Sequence, residues 1–379
     1  MRENTNLPSI NLACYNEIVP TVSVKIPGKN SYGIVVQPGI ISIAGELIRK
    51  LSDSPKIAVI TDSTVAPHHL PKLQTSLRDA DFETIVATVP PGEDRKTIQT
   101  ISQIYDALIP ARIDRGTPII DLGGGVIGDM AGFAAATILR GVPFIQMPTT
   151  LLAMVDASGG GKTGVNHSTG KNLIGAFHQP IAVLIDPQVL KTLPPRELRS
   201  GLAECIKHEI IRDADGFATL EKNIHRALSL DIEYLTELIA HNVAIKARVV
   251  EADPLERGER AHLNFGHTFG HAIESISNYS YSHGESIALG MCAAAFTSTR
   301  LGLLDDDSRK RIFKLISDAA LPISNLTLDT DAVVNAMFFD KKVKSGKLRL
   351  VLPDRIGHVV IRDDVLTEIV REAIESLRG

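Results

Sequence analysis

The chain has 379 residues, 44% hydrophobic and 22% charged, a balance typical of globular proteins and long enough for two domains. Aromatic residues make up only 4%, with no tryptophan, which argues against a stacking platform for single-stranded nucleic acid. A formal net charge of −4 argues against overall attraction to DNA, RNA or anionic membrane, so cations that recognise an anion must be concentrated locally.

Residues 1–20 read as an N-terminal extension without the apolar run of a secretory signal. No window approaches the roughly 18 apolar residues of a membrane span, so a cytoplasmic location is the default expectation. Cys14, Cys205 and Cys292 are widely spaced, which implies no disulfide framework, and Cys205 reads as a buried structural thiol. From Thr21 to about residue 190, β-rich runs alternate with helical patterns. VSVKI, YGIVVQ, KIAVIT, ETIVATV, PIIDLG, FIQMP and AVLID read as strands. IAGELIRKL, LPKLQTSLRDA, TIQTISQIYDALI and DMAGFAAATILRG read as helices. The alternation predicts an α/β domain over 21–190 with a Rossmann-like, mostly parallel sheet. After TLPPREL the patterns become helical, broken by one ribbon of KLRLVLP and GHVVIR, so 191–379 is expected to be an α-dominated second domain. A cleft between two such domains is a favoured place for a substrate.

TPIIDLGGGVIGDMAG gives a buried strand, then Gly123-x-Gly125-x-x-Gly128, then a helical pattern. That is the context in which glycines let a pyrophosphate approach the amides of a helix N-terminus. The usual acidic partner about 20 residues on is missing, since no acid follows Asp129 until Asp156. Asp62 and Glu93, after earlier strands, are alternatives for holding a ribose; otherwise they are turn residues. SGGGKT fails as a triphosphate loop because Asp156 stands where its first glycine belongs. Lys162, Lys171 and Asn172 flank the glycine-rich GGGKTGVNHSTGKN, Lys207 lies one helical turn after Glu204, and Lys246 and Arg260 precede LNFGHTFGHAIE. Together these cations suit a substrate carrying phosphate and carboxylate.

In LNFGHTFGHAIE, Asn264, His267 and His271 are spaced to share one helix face. Glu204 and His283 are the right types to complete a site of two imidazoles and one carboxylate, the composition of a catalytic zinc. Thr268 stands where an HExxH peptidase needs its glutamate, which removes the hydrolytic reading.

These motifs, with PGE at 91–93, RGVPFIQMPTTLLAMVD, GKNLIGAFHQP, LKTLPPRELRSGLAECIKH, HGE and DKKVKSGKLRLVL, make the chain closely resemble the 3-dehydroquinate synthases of the sugar phosphate cyclase superfamily. The resemblance runs from about residue 56 to 352. It implies conversion of 3-deoxy-D-arabino-heptulosonate 7-phosphate to 3-dehydroquinate and phosphate, a shikimate-pathway step towards chorismate and aromatic amino acids. The route implied is transient NAD oxidation, phosphate elimination, re-reduction and intramolecular aldol closure. It also implies a metal, Zn2+ or Co2+, on Glu204, His267 and His283. NAD would be held by Asp62, Glu93, Lys96, Gly124, Gly125, Val126, Gly128, Asp129, Thr149, Thr150, Lys162, Lys171, Thr192, Leu193 and Glu197. The catalytic and substrate groups implied are Asp156, Lys162, Lys171, Asn172, Lys207, Lys246, Arg260, Asn264 and His271. Arg140 is expected to reach a neighbouring subunit's site in a homodimer, and Lys342 to close over the substrate.

Two features depart from the family pattern: Ala157-Ser158-Gly159 replaces a Ser-Ser-Val type of sequence, and His178 stands where tyrosine is common. Both leave the charged residues intact. Deoxyinosose synthases tend to carry glutamate at the position of Asn264, and valiolone-type synthases alter the GHTFGH end. Retention of Asn264 and His271 favours dehydroquinate synthesis. The alternatives are another cyclase, such as an amino-dehydroquinate or cyclitol synthase, or a metal-dependent alcohol or glycerol dehydrogenase.

Overall fold

The computed structural model describes residues 21–25, 31–253, 258–278, 280–324, 326–339 and 348–378; the N-terminal extension with Cys14, and Lys342, lie outside them. The β-branched runs form β1 (Thr21–Val24), β2 (Tyr32–Val36), β3 (Lys56–Asp62), β4 (Glu83–Val89), β5 (Ile119–Gly123), β6 (Phe144–Pro148), β7 (Lys162–His167), β8 (Gly170–Phe177) and β9 (Ala182–Ile185). Between them run α1 (Ala44–Arg49), α2 (Ala66–Asp79), α3 (Ile98–Leu108) and α4 (Gly125–Thr137). Seven strands make one sheet in the order β1-β2-β9-β6-β5-β3-β4. Every pairing in it is parallel except that of β1 with β2. Strands β2, β5, β6 and β9 are buried at every residue, as a parallel sheet covered on both faces requires. The chain runs outward from β3 to β4 and returns to β5 on the other side of β3. The carboxyl ends of β3 and β5, with Asp62 and Gly123, therefore flank a topological switch point, the usual ligand position in such sheets.

Two elements differ from the expectation. Helix α4 begins at Gly125, four residues before DMAGF, so the glycine turn supplies its first turn. Glycine disfavours helix locally, and packing against the sheet overrides it. Second, the glycine-rich segment after Lys162, which is not among the runs read above as strands, is an antiparallel hairpin of β7 and β8. Its register pairs Gly164 with Gly175, where a Cβ would lie 2.5 Å and 2.2 Å from partner backbone, so glycine here permits close strand approach rather than a loop. Val165 joins Met130, Ala131 and Ala134 of α4 in the core.

The remaining elements are α5 (Pro195–Arg212), α6 (Ala214–Leu228), α7 (Ile232–Ala252), α8 (His267–Ile276), α9 (His283–Arg300), α10 (Asp306–Asp318), α11 (Thr330–Phe339), β10 (Leu350–Arg355), β11 (His358–Arg362) and α12 (Thr367–Glu375). Strands β10 and β11 form the anticipated ribbon. Two compact units result: Met1–Leu193 with Leu235–Glu251, and Pro194–Tyr234 with Ala252–Gly379. The division is thus not contiguous in sequence, unlike the 190/191 split expected above. Most of α7 belongs with the sheet unit, where Val243, Ala247 and Val250 line a recess with Val24, Ile34, Val183 and Ile185. No described helix is long and apolar enough to cross a membrane.

Candidate functional site

In the sheet unit, the turn after β5 is built from backbone. Gly124 is the N-cap of α4 and no side chain caps that helix, which leaves its first amides available to an anion. A Cβ on Gly124 would sit 3.1 Å from Thr150 Cγ2, one on Gly125 3.2 Å from Ala157 Cβ, and one on Gly128 3.0 Å from Asp121 Oδ2. Thr149 N donates to Gly123 O at 2.9 Å, while the buried Thr149 Oγ1 has no hydrogen-bond partner among the described residues. A buried hydroxyl without a partner beside a side-chain-free helix start fits a polar ligand such as a dinucleotide.

Around this turn the charged groups form one network. The Lys96 ammonium pairs with Asp129 and donates to Asn172 Oδ1 at 2.5 Å. Burial raises the Asp129 pKa, against the opposing pull of Lys96. Asn166 Nδ2 donates to Glu93 Oε1 at 2.7 Å, and Asn172 N donates to Asn166 Oδ1 at 2.9 Å. Asn172 therefore stands with Glu93, Lys96 and Asp129, the residues expected to hold NAD. Asp62 Oδ1 accepts from Thr64 N at 2.8 Å and Val65 N at 3.0 Å, the turn-capping role that was its alternative. Asp156 lies in a π-helical turn, Ala153–Ala157, with Lys246 Nζ 3.5 Å from its Oδ1. Lys162 is exposed at the start of β7, and Lys171 is half-buried on β8. Thr192 Oγ1 donates to Val189 O at 2.9 Å, just before Leu193 closes this unit. Arg140 is exposed at a corner where Leu139 and Arg140 both have positive φ, 51° and 70°.

In the helical unit the site is built from side chains. Glu204 and Lys207, one turn apart on α5, are buried and ion-paired through Glu204 Oε2. The other oxygen, Oε1, lies 3.6 Å from His267 Nε2 and 3.3 Å from His283 Nε2. Ligand atoms in a tetrahedral zinc site with bonds of about 2.0–2.1 Å are roughly 3.3–3.4 Å apart. The donor set and its spacing therefore fit a divalent metal. His267 Nδ1–H donates to Phe265 O at 3.1 Å, which leaves Nε2 as the lone-pair donor. Glu274 Oε2 lies 3.6 Å from His283 Nδ1, the carboxylate that orients a ligating imidazole. Burial holds the His267 pKa well below its ordinary value. Burial also lowers that of His283, but the Glu204 and Glu274 carboxylates beside it outweigh burial and push the value up to about 9.

His271 follows one turn after His267, with ring centroids 5.1 Å apart. Asn264 does not share their helix. It ends a 3-10 segment, Glu259–Asn264, and Gly266, at φ 76°, separates that segment from α8. A Cβ on Gly266 would meet Met291 Cγ at 2.7 Å, so the break is imposed by packing against α9. Arg260, in the same segment, is buried, and its N donates to Asp253 Oδ2 at 3.1 Å. Glu197 is exposed in the first turn of α5.

Sequence reasoning missed Glu274, Asn166 and Asp121. Glu274 was within reach of it, because it lies three residues after His271 on the same helix face. Asn166 gave no signal until the hairpin brought it to Glu93. Asp121, buried in β5, accepts from Met147 N at 2.6 Å; burial raises its pKa to about 7, against hydrogen bonds from Met147 and Gln146.

Residues 86–200 match the family described as 3-dehydroquinate synthase N-terminal, and 201–343 match 3-dehydroquinate synthase C-terminal. The 3-dehydroquinate synthase of Nostoc punctiforme is 44% identical over 360 residues, 94% of this chain and 99% of the relative. Among solved structures, 2-epi-5-epi-valiolone synthase from Streptomyces hygroscopicus subsp. jinggangensis, with NAD+ and Zn2+ bound, gives a TM-score of 0.85 at 28% identity, covering 93% and 98% of the two chains. A 2-deoxy-scyllo-inosose synthase complexed with carbaglucose-6-phosphate, NAD+ and Co2+ gives 0.86 at 26% identity, covering 94% and 99%.

Proposed function

The chain belongs to the 3-dehydroquinate synthase family, and from that premise we propose an NAD- and metal-dependent lyase that eliminates phosphate from 3-deoxy-D-arabino-heptulosonate 7-phosphate. The observation that carries the metal assignment is the convergence of Glu204, His267 and His283 beside Lys207. When bound, NAD supplies reversible hydride acceptance and a divalent metal, Zn2+ or Co2+, supplies Lewis acidity. Glu204, His267 and His283 hold the metal. The glycine turn with Thr149, Thr150, Asp129, Lys96 and Glu93 holds the dinucleotide, joined by Asp62, Thr192, Leu193 and Glu197.

The chain's own residues then orient the substrate and neutralise its charges. Lys207 and Asp156 orient ring hydroxyls. Lys162, Asn172, Asn264 and His271 hold the phosphate, where charge-assisted hydrogen bonds favour the leaving dianion, and Lys171 lies in the same substrate pocket. Lys246 and Arg260 hold the carboxylate, and Lys342 closes over the bound molecule. Arg140 serves the site of a second copy in a homodimer, a role suited to a cation displayed on a strained, exposed corner. The protein acts in the cytoplasm on a small anionic sugar phosphate.

The test is turnover of the heptulosonate phosphate with NAD and zinc. Stoichiometric phosphate release without accumulating NADH is expected, because the cofactor is regenerated in each cycle. NADH accumulation from a simple polyol without phosphate release would replace this reading with a polyol dehydrogenase. Preference for the amino analogue would replace it with an amino-dehydroquinate synthase.

A further inference from the structure

Between Asp156 and Lys162 the chain passes through three consecutive glycines, Gly159, Gly160 and Gly161, with φ of 75°, 78° and 66°. Successive left-handed glycines lose the most backbone freedom on ordering, so such a loop keeps one path only where other groups hold it. Groups from four places in the fold do so. Gln146 Oε1 on β6 accepts from Gly159 N at 2.8 Å, and Tyr32 Oη on β2 accepts from Gly160 N at 2.9 Å. Lys246 Nζ donates to Ser158 O at 3.2 Å, and His178 N donates to Gly161 O at 2.8 Å. Gln146 is anchored in turn, its Nε2 donating to Asp121 Oδ2 at 3.4 Å. The Gln179 amide fills the space a Cβ on Gly161 would need, with atoms 2.5–2.9 Å away. Tyr32 and Gln146 are both buried, 3% and 7% exposed, and each presents a polar end to the loop.

We propose that Tyr32 and Gln146 are positioning residues for Lys162: by accepting from the amides of Gly159 and Gly160, they fix the loop that delivers its ammonium to the substrate phosphate. Lys162 follows these amides by only two and three positions, so a displacement of the loop passes directly to it. The proposal rests on the role given to Lys162 above and extends it to two residues outside the ligand-binding set assigned there.

A double-mutant cycle tests it. Tyr32→Phe removes one acceptor and keeps the buried ring; Gln146→Met removes the other at similar volume. Each is combined with Lys162→Ala, in protein loaded with NAD and zinc. Two quantities are measured: affinity for inorganic phosphate by calorimetry, and kcat and KM with the heptulosonate phosphate. Each single variant is expected to weaken phosphate binding and raise KM about 3- to 10-fold, the effect of one neutral hydrogen bond, with kcat less affected. In the Lys162→Ala background the same substitutions should change either quantity less than about twofold. Equal losses in both backgrounds, or none in the parent, would mean that the two side chains serve stability alone and would overturn the proposal. If the parent fails to turn over the phosphate ester, the functional reading falls but the phosphate-binding cycle still decides this one. A parent that binds no inorganic phosphate overturns the proposal. Should either single variant fail to fold, the other amide carries the same test.

Discussion

The candidate site of the sheet unit is built from backbone: the uncapped start of α4 at Gly124 and Gly125, and a glycine loop fixed through its N–H groups by Gln146 and Tyr32. That of the helical unit is built from buried side chains, Glu204, Lys207, His267 and His283, positioned by Phe265 O and Glu274. The contrast teaches where each site is vulnerable. A backbone site fails when a glycine gains a Cβ or its loop loses an anchor, whereas a side-chain site fails when one ligand is removed. In the second case the loss reaches stability too, because the partner charge stays buried.

The sharpest test of the side-chain site is His267→Ala. Loss of one of three ligands should lower zinc stoichiometry and reduce kcat/KM by about 1000-fold or more, with the fold retained. Full zinc occupancy, read by elemental analysis, would transfer the ligand role to His271. Glu204→Ala should show the same zinc loss together with a lower Tm, since it strands the Lys207 ammonium in the interior.

On the sheet side the largest effect expected is from Lys162→Ala. Zinc and NAD should still bind, while kcat/KM falls by about 30- to 1000-fold, or roughly 2–4 kcal/mol, for one charge-assisted phosphate contact. Near-parental kinetics would make the loop purely structural.

Gly266→Ala attacks the side-chain site through backbone and so tests the division itself. A Cβ at φ 76° meets Met291 Cγ at 2.7 Å and the carbonyl of Ile287 at 3.1 Å. The expected cost is about 2 kcal/mol from strain and overpacking, seen as a lower urea midpoint, with zinc affinity falling as His267 shifts. An unchanged midpoint would show that the turn tolerates a side chain.

The last effect is a pH slope from Asp121. Its folded pKa, about 7, is above the ordinary carboxylate value. The protonated acid is therefore the form the fold prefers, and its stabilising contribution is full below about pH 4 and lost as pH rises towards 7. Asp121→Asn can still accept from Met147 N but does not titrate. Across that window the parent should lose stability relative to the variant by at most about 1.4 kcal/mol per pH unit. Parallel denaturation midpoints at pH 5 and pH 7 would place the Asp121 pKa outside the window.

Local pattern in the sequence was enough for the strands of the parallel sheet, the turn at Gly123–Gly125 and the residue types of the candidate metal site. Period-two and period-3.6 burial, and the chemistry of imidazole and carboxylate, are properties of short segments. Tertiary contacts decided the rest. Asn264 left the histidine helix because α9 packs against Gly266, the glycines after Lys162 paired as a hairpin because Gly164 and Gly175 let two backbones meet, and α7 joined the sheet unit because its apolar face found β1, β2 and β9. Each outcome depends on a partner distant in sequence, and a glycine or an apolar stripe read locally does not specify which partner it will meet.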